Sequence, residues 1–318
     1  MTDKAFDTPL TISGPFRSPK QMLAEQEYDG HLSIHDDETA EKLGFVAGPI
    51  EGPTHFSQFV PLLTHLWGQE WFETGCLSAH YQNMVVEGEE VQATVGVPSE
   101  GENTVPVSAK KADGTPVLTG TASIGVDHDP SELDQRMQRL RPSEQLIILR
   151  DVNVGDKGVE SERVVMDYDQ HLGNSYPFTL RQKLAVITED TPLHTAEGAA
   201  SPWGRPIIPL EMVCVLCSYS NRANWKTREP HIGLFADLEI GMIKGPLFVG
   251  QEYTLEREVV AVGETRRTEG FWVRTMVRDC DTNEPLAYTL LHHAIMKDSF
   301  PTYAEELKAL QAEPRATS

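Results

Sequence analysis

His35-Asp36-Asp37, then Gly48-Pro49-Ile50, leads into the apolar run Thr54-His55-Phe56-Ser57-Gln58-Phe59-Val60. Pro192-Leu193-His194, then Gly204-Arg205-Pro206-Ile207, leads into Leu210-Glu211-Met212-Val213-Cys214-Val215. His194 lies 159 residues after His35. Gly250-Gln251-Glu252-Tyr253 opens a strand-rich stretch 162 residues after Gly88-Glu89-Glu90-Val91 opens another. A period of about half the 318-residue chain is that of a duplicated domain. The repeat divides the chain into an N-terminal unit (1–127), a charged linker with one amphipathic segment (128–158) and a C-terminal unit (159–318).

Within each unit the pattern is one apolar helix followed by several alternating strands. In the first, Pro9–Ser13 reads as a strand, Pro19–Gln26 as a helix, and Thr54–Trp67 as the main helix with Thr54 as N-cap and a kink at Pro61. Three or four strands follow between Cys76 and Val126. In the second, a strand at Val159–Met166 precedes a helical segment at Thr179–Thr188 and the main helix at Leu210–Ala223. Strands are expected at Ile232–Met242, Glu252–Val262, Thr268–Val277 and Ala287–Met296. This is an α+β pattern in which an antiparallel sheet wraps a long central helix. Such a unit is a hotdog, and two in tandem make a double hotdog.

Composition narrows the function. Hydrophobic content of 39% and charged content of 24% suit a soluble globular chain. No run approaches the roughly 18 apolar residues of a membrane helix. The N-terminus lacks the basic and apolar segments of a signal peptide, so a cytoplasmic protein is expected. A net charge of −21 argues against nucleic acid or anionic membranes as partners. A small-molecule substrate remains. Arg257, Arg266, Arg267, Arg274 and Arg278 read either as solvated strand faces or as a patch for a phosphate-bearing group such as coenzyme A. Cys214 and Cys217 lie in an apolar helical run with no second pair, and read as buried small hydrophobes rather than a metal or redox site. No metal is expected.

The string Ile187-Thr188-Glu189-Asp190-Thr191-Pro192-Leu193-His194, with Gly204-Arg205-Pro206-Ile207, resembles the motif of the MaoC-like (R)-specific enoyl-CoA hydratases and dehydratases. That motif reads approximately T-G-D-x-N-P-L-H-x-D, then G-x-P-I-x-x-G-M. The first half resembles it through Ile34-His35-Asp36-Asp37 and Gly48-Pro49-Ile50. The resemblance implies that an Asp and a His act as general base and acid on water adding across an α,β-unsaturated thioester. A backbone N–H at the start of the central helix would hold the enolate oxygen. It implies no cofactor beyond coenzyme A carried by the substrate.

Carried over residue by residue, His194 matches the His, and either Asp190 or Glu189 supplies the acid, Asp190 being preferred on residue type. In the first half His35 matches the His, while Gly30 falls at the Asp position and Asp29 one residue away. Gly52 stands near the helix-start Gly of the first half, followed by Pro53. Pro209 or Leu210 stands there in the second.

Other groups carry alternatives. Glu211, in the first turn of the second helix, reads either as a residue favoured by the helix dipole or as a thioesterase-type carboxylate. His55 and Gln58 share a face and either contact a ligand or bond each other. His31 lies four residues before His35. His292 and His293 are adjacent on a strand and point to opposite faces.

The leading reading is a hydro-lyase using Asp190 and His194. Alternatives are a lyase or isomerase on a substrate not attached to coenzyme A using His31, His35 and His55, a thioesterase using Glu211, and a noncatalytic ligand-binding double hotdog. Assembly is expected as a monomer or a homodimer of double hotdogs.

Overall fold

The computed structural model describes residues 9–28, 31–125, 127–140, 143, 145–195, 201–220, 222–223 and 225–312. The first half runs β1 (Thr11–Ser13), β2 (Glu27–Tyr28), β3 (His31–Leu32), α1 (Asp37–Lys42), a 3-10 helix (Gly52–Phe59), α2 (Val60–Trp67), α3 (Glu70–Thr74), and strands β4 (Cys76–Tyr81), β5 (Val91–Gly96), β6 (Thr104–Lys111) and β7 (Pro116–Ser123). α4 (Glu132–Met137) follows. The second half runs β8 (Glu162–Val165), α5 (Leu180–Leu184), a 3-10 turn (Pro192–His194), α6 (Leu210–Ser218), β9 (Gly233–Met242), β10 (Glu252–Glu264), β11 (Thr268–Asp279) and β12 (Pro285–Met296). A 3-10 turn (Lys297–Ser299) and α7 (Tyr303–Ala312) complete it.

Ten strands form one antiparallel sheet in the order β1-β5-β6-β7-β4-β9-β12-β11-β10-β8. The order reads the same from either end once the halves are matched strand for strand, and the halves join at β4 and β9. At that seam Leu77 faces Ile240 and Ala79 faces Leu238. These four side chains are fully buried and share one core with Phe56, Phe59, Met212 and Leu216 of the two central helices. Both helices therefore pack on the same face of the sheet. Burying side chains of this kind contributes roughly 1.5–3 kcal/mol each, before conformational entropy is subtracted.

The expectation of a long central helix in each half is corrected. In the first half Pro53 and Pro61 each lack an N–H, so the run from Gly52 is a 3-10 helix that gives way to α-helix only at Val60. Thr54 is not the N-cap; that position is Glu51. In the second half α6 stops at Ser218, five residues short of the expected end. The Arg257 guanidinium donates to the Cys217 carbonyl at 2.7 and 3.2 Å, capping the last turn. Residues 19–26 form no helix, although Leu23 is buried there. Four strands follow each main helix, where three or four were expected in the first half and four in the second, the latter with ends shifted by a few residues.

α4 lies on the opposite face of the sheet, and the segment that follows it returns at Ile147–Leu149 to the face that carries the central helices. Ser131 caps α4 in a capping box with Asp134 and also donates to Glu239. Leu133 packs against Trp272 and Leu290. Asp237, next to this helix, binds His80 at 2.7 Å, His292 at 2.6 Å and Arg136 at 3.1 Å, and these partners hold its carboxyl well below the usual range. Farther along, the Glu269 carboxylate accepts from the backbone N–H groups of Ile147, Ile148 and Leu149 at 2.8–2.9 Å.

Candidate functional site

His35 stands just before Asp36, the N-cap of α1, whose carboxylate accepts from the Thr39 N–H at 2.8 Å. Asp37 then accepts from the Gly48 N–H at 2.8 Å, closing the loop between them. This brings Gly48 against the His35 carbonyl so closely that a Cβ would lie 2.1 Å from its oxygen. Only glycine permits that approach. The next residue, Pro49, accepts from His35 Nδ1 at 2.7 Å, and Ile50 N–H donates to Val85 at 2.6 Å. The second half repeats the device: His194 Nδ1 bonds the Ile207 carbonyl at 3.0 Å, and Ile208 N–H donates to Leu247 at 2.8 Å. Each histidine thus has its tautomer and ring orientation set by a main-chain carbonyl.

The surroundings of the two histidines differ. A cavity of about 190 Å³ opens beside the first, lined by His35, Glu51, Gly52, His55 and Tyr81 and closed by Gly233–Ala236 of β9 in the other half. Glu51 is buried, and desolvation pushes its carboxyl up to about 7 against the opposing influence of Lys183 and a hydrogen bond from Tyr176. Burial lowers the pKa of His35 to about 4, so its imidazole is neutral at pH 7. With Nδ1 donating to Pro49, Nε2 carries the lone pair. His55 is likewise lowered to about 4 by burial, with Lys183 and Lys111 acting in the same sense. Glu51 Oε1 and the Tyr81 hydroxyl are buried and have no hydrogen-bond partner among the described residues. Burial holds the Tyr81 phenol far above its usual range, so it stays a donor. Orphaned buried polar atoms are costly, and this pair lines one cavity where both can bond a polar ligand.

His194 is buried, with its pKa lowered by desolvation, and lines neither this cavity nor the larger one described below. Asp190 is exposed; its charge raises the His194 pKa, but no hydrogen bond joins them among the described residues. Glu189 is held by Arg17 in a bidentate pair at 2.7 and 3.1 Å. His31 pairs with Tyr28 in the β2–β3 hairpin, its side chain lying outside the described residues, as do Asp29 and Gly30.

Gly52 lies under the Tyr81 ring, where a Cβ would come within 2.6 Å of Cζ. Its lack of a side chain makes room for that ring. Among the N–H groups of this first turn, Pro53 has none and that of Thr54 is taken by the Glu51 carbonyl at 3.1 Å. Gln58 Nε2 reaches His55 Nδ1 at 3.5 Å, which the three-residue repeat of a 3-10 helix favours. Leu210 is half-buried against the core.

Glu211 is locked between the two central helices. Ser57 donates to one oxygen, and Lys183 of α5 sits 2.8 Å from the other while also donating to Thr54 at 3.1 Å. Arg257 is buried against Glu162, and Arg278 pairs with Glu256 at 2.7 Å, so neither is a ready phosphate ligand. Cys214 and Cys217 are buried in α6, and desolvation pushes both thiols up, Cys217 to about 11.

The residue pattern alone did not single out Glu51, Tyr81, Tyr176 or Lys183. One signal was available. When Ile50 is matched with Ile208, Glu51 falls opposite Pro209, so only the first half has a carboxyl at the residue just before its central helix.

No protein-family model matches the chain, and no curated protein matches it by sequence. Solved structures do match. A protein from Chloroflexus aurantiacus J-10-fl described as a MaoC domain dehydratase is similar with a TM-score of 0.56 and 15% identity, over 92% of this chain and 95% of its own. A MaoC-like dehydratase matches with a TM-score of 0.51 and 12% identity, over 90% and 97%. A conserved hypothetical protein from Mycobacterium tuberculosis with a double hotdog fold matches with a TM-score of 0.55 and 10% identity, over 92% and 97%. At such identities the likeness is one of fold, and the fold is the double hotdog. No helix among the described residues is long and apolar enough to cross a membrane.

Proposed function

We propose that this double hotdog is a hydro-lyase that interconverts a β-hydroxyacyl thioester and its α,β-unsaturated counterpart in the small cavity of the first half. Glu51 and His35 are its acid and base. The observation that carries this is the shared cavity: a neutral imidazole and a carboxyl near pKa 7 line the same 190 Å³, beside an unpartnered Tyr81 hydroxyl.

Elimination needs one group to take the Cα proton and another to protonate the departing hydroxyl. His35 Nε2 takes the proton as the Cα–H bond breaks, and its electron pair forms the new double bond. Glu51, protonated at the start, gives its proton to the β-oxygen as the C–O bond breaks and water leaves. Hydration is the reverse, with Glu51 carboxylate deprotonating water and His35 imidazolium protonating Cα. Tyr81 donates a hydrogen bond to the thioester oxygen, where charge accumulates. Coenzyme A enters only as part of the substrate.

The test is turnover of a panel of 3-hydroxyacyl-CoA and enoyl-CoA thioesters by the purified protein, followed at the enoyl absorbance. Wild type converts at least one member, and Glu51→Gln and His35→Ala each lose activity by 10²-fold or more, on the order expected for general acid–base groups. Full activity in either variant would sink the assignment.

A further inference from the structure

A second cavity, of about 520 Å³, lies in the second half. α6 ends at Ser218, and the chamber lies on the inner face of β9, β11 and β12 between that end and the cluster in which α7 packs on Phe271 and Val273. One wall is built of flat rings. Phe271 lies parallel to His293 with centroids 4.8 Å apart, Phe235 meets His293 edge-on at 5.7 Å, and Trp225 meets Phe271 at 6.2 Å. Burial lowers the His293 pKa to about 3, so this ring is uncharged at neutral pH. Arg257, the buried cation at the floor, is already paired with Glu162 and the end of α6. Hydroxyl groups of Ser218, Thr275 and Thr289 line the same space.

The chamber adjoins the small cavity. Ser33 lines the large one, His35 the small one, and Ile34 between them lines both, as do Gly233, Leu234 and Phe235. Tyr176 lines the chamber and hydrogen-bonds Glu51 of the small cavity. A group reacting at Glu51 and His35 therefore stands next to the chamber. The aromatic residues of the first central helix and its surroundings do not line it: Phe56, Phe59 and Trp71 are buried in the core, and Trp67 and Trp203 pack against Trp71 and Phe72.

We propose that the chamber holds the distal part of the acyl group and selects substrates whose acyl group carries a ring, aryl or fused, over short linear ones. This rests on the hydro-lyase reading of the small cavity. Its volume is that of a site for a whole small ligand, which a four-carbon acyl group would leave largely unfilled. Stacked and edge-on aromatic walls favour a flat π-system, and the hydroxyl groups suit an oxygen substituent on it.

The experiment compares dehydration of 3-hydroxy-3-phenylpropanoyl-CoA with that of 3-hydroxybutyryl-CoA. Wild type should favour the aryl substrate at least tenfold in kcat/KM. Thr275→Phe fills the floor and Ser218→Phe, at a half-buried position that tolerates bulk, fills the rim. Each should lower the aryl-to-linear ratio at least tenfold, chiefly through KM. Equal or better use of the linear substrate by wild type, or an unchanged ratio in the folded variants, overturns the proposal.

Binding separates the two readings. Cinnamoyl-CoA is titrated into Glu51→Gln, followed by quenching of tryptophan fluorescence. If wild type turns over neither thioester, yet cinnamoyl-CoA binds and adding Ser218→Phe weakens it tenfold, the chamber assignment stands and the hydro-lyase reading falls. Turnover without ring preference overturns the chamber assignment and leaves the hydro-lyase reading in place.

Discussion

Glu51 and Pro209 occupy the same place in the two halves, each the last residue before a central helix and each following an isoleucine whose N–H is bonded to the loop between two strands, at Val85 and Leu247. The histidines upstream of them are held alike, His35 by the Pro49 carbonyl and His194 by the Ile207 carbonyl. A carboxyl in one copy and a pyrrolidine ring in the other is the difference on which the proposed assignment of the chemistry to the first half rests.

The first prediction follows from that asymmetry. His35→Ala should lower kcat by 10²-fold or more, whereas His194→Ala should keep activity within a few-fold once corrected for the folded fraction. Steady-state kinetics with circular dichroism decide it. Loss of turnover in His194→Ala with His35→Ala unaffected would move the chemistry to the second half.

The pH profile carries the second. Dehydration needs His35 neutral and Glu51 protonated, so kcat/KM should fall below about pH 4 and above about pH 7. The alkaline limb belongs to Glu51 and should vanish from the residual activity of Glu51→Gln. A flat profile between pH 6 and 9 would contradict the assignment.

Stability should respond to the same proton. Glu51 has a folded pKa near 7, raised from 4.5 by burial, so the folded state binds more protons than the unfolded between those values. Its contribution is intact below pH 4.5 and is lost as pH rises through 7, by about 3 kcal/mol in all at 1.36 kcal/mol per pH unit. Glu51→Gln removes this loss. Urea titrations should show the variant more stable than wild type at pH 8 and equal to it at pH 4.

The buried ion pair gives a fourth. Lys183 and Glu211 are both under 5% exposed and link α5 to α6, with Ser57 and Thr54 of the first half as further partners. Lys183→Met should cost about 3–5 kcal/mol, because Glu211 is left charged and buried. The double variant Lys183→Met with Glu211→Leu should recover most of it. If chemical denaturation finds the two losses additive, the pair is not coupled.

Much of the architecture was legible in the chain. The Gly48-Pro49-Ile50 signature marks a local device: a glycine pressed against His35, a carbonyl holding its imidazole, and an N–H bonded to Val85 in the loop between β4 and β5. Strand alternation located the four strands after the second main helix and put His292 and His293 on opposite faces, where one binds Asp237 and the other stacks on Phe271. Helix length was harder to read. Apolar spacing continues past Ser218, but Arg257, forty residues later in the chain, ends α6 by capping Cys217. Asp190 and Glu189 had plausible spacing from His194, yet one is exposed and the other is held by Arg17, far away in the sequence.

By itself, the sequence determined the duplication, the order of elements and the two histidine loops, because each rests on periodicity or on contacts within a few residues. Tertiary structure alone decided the environment of Glu51. Glu51 is an ordinary carboxylate until Tyr176, Lys183 and the sheet close around it, and the cavity it shares with His35 exists only because β9 of the other half forms its wall. Desolvation depends on everything packed around a group, so the protonation of Glu51 is set by residues more than a hundred positions away along the chain.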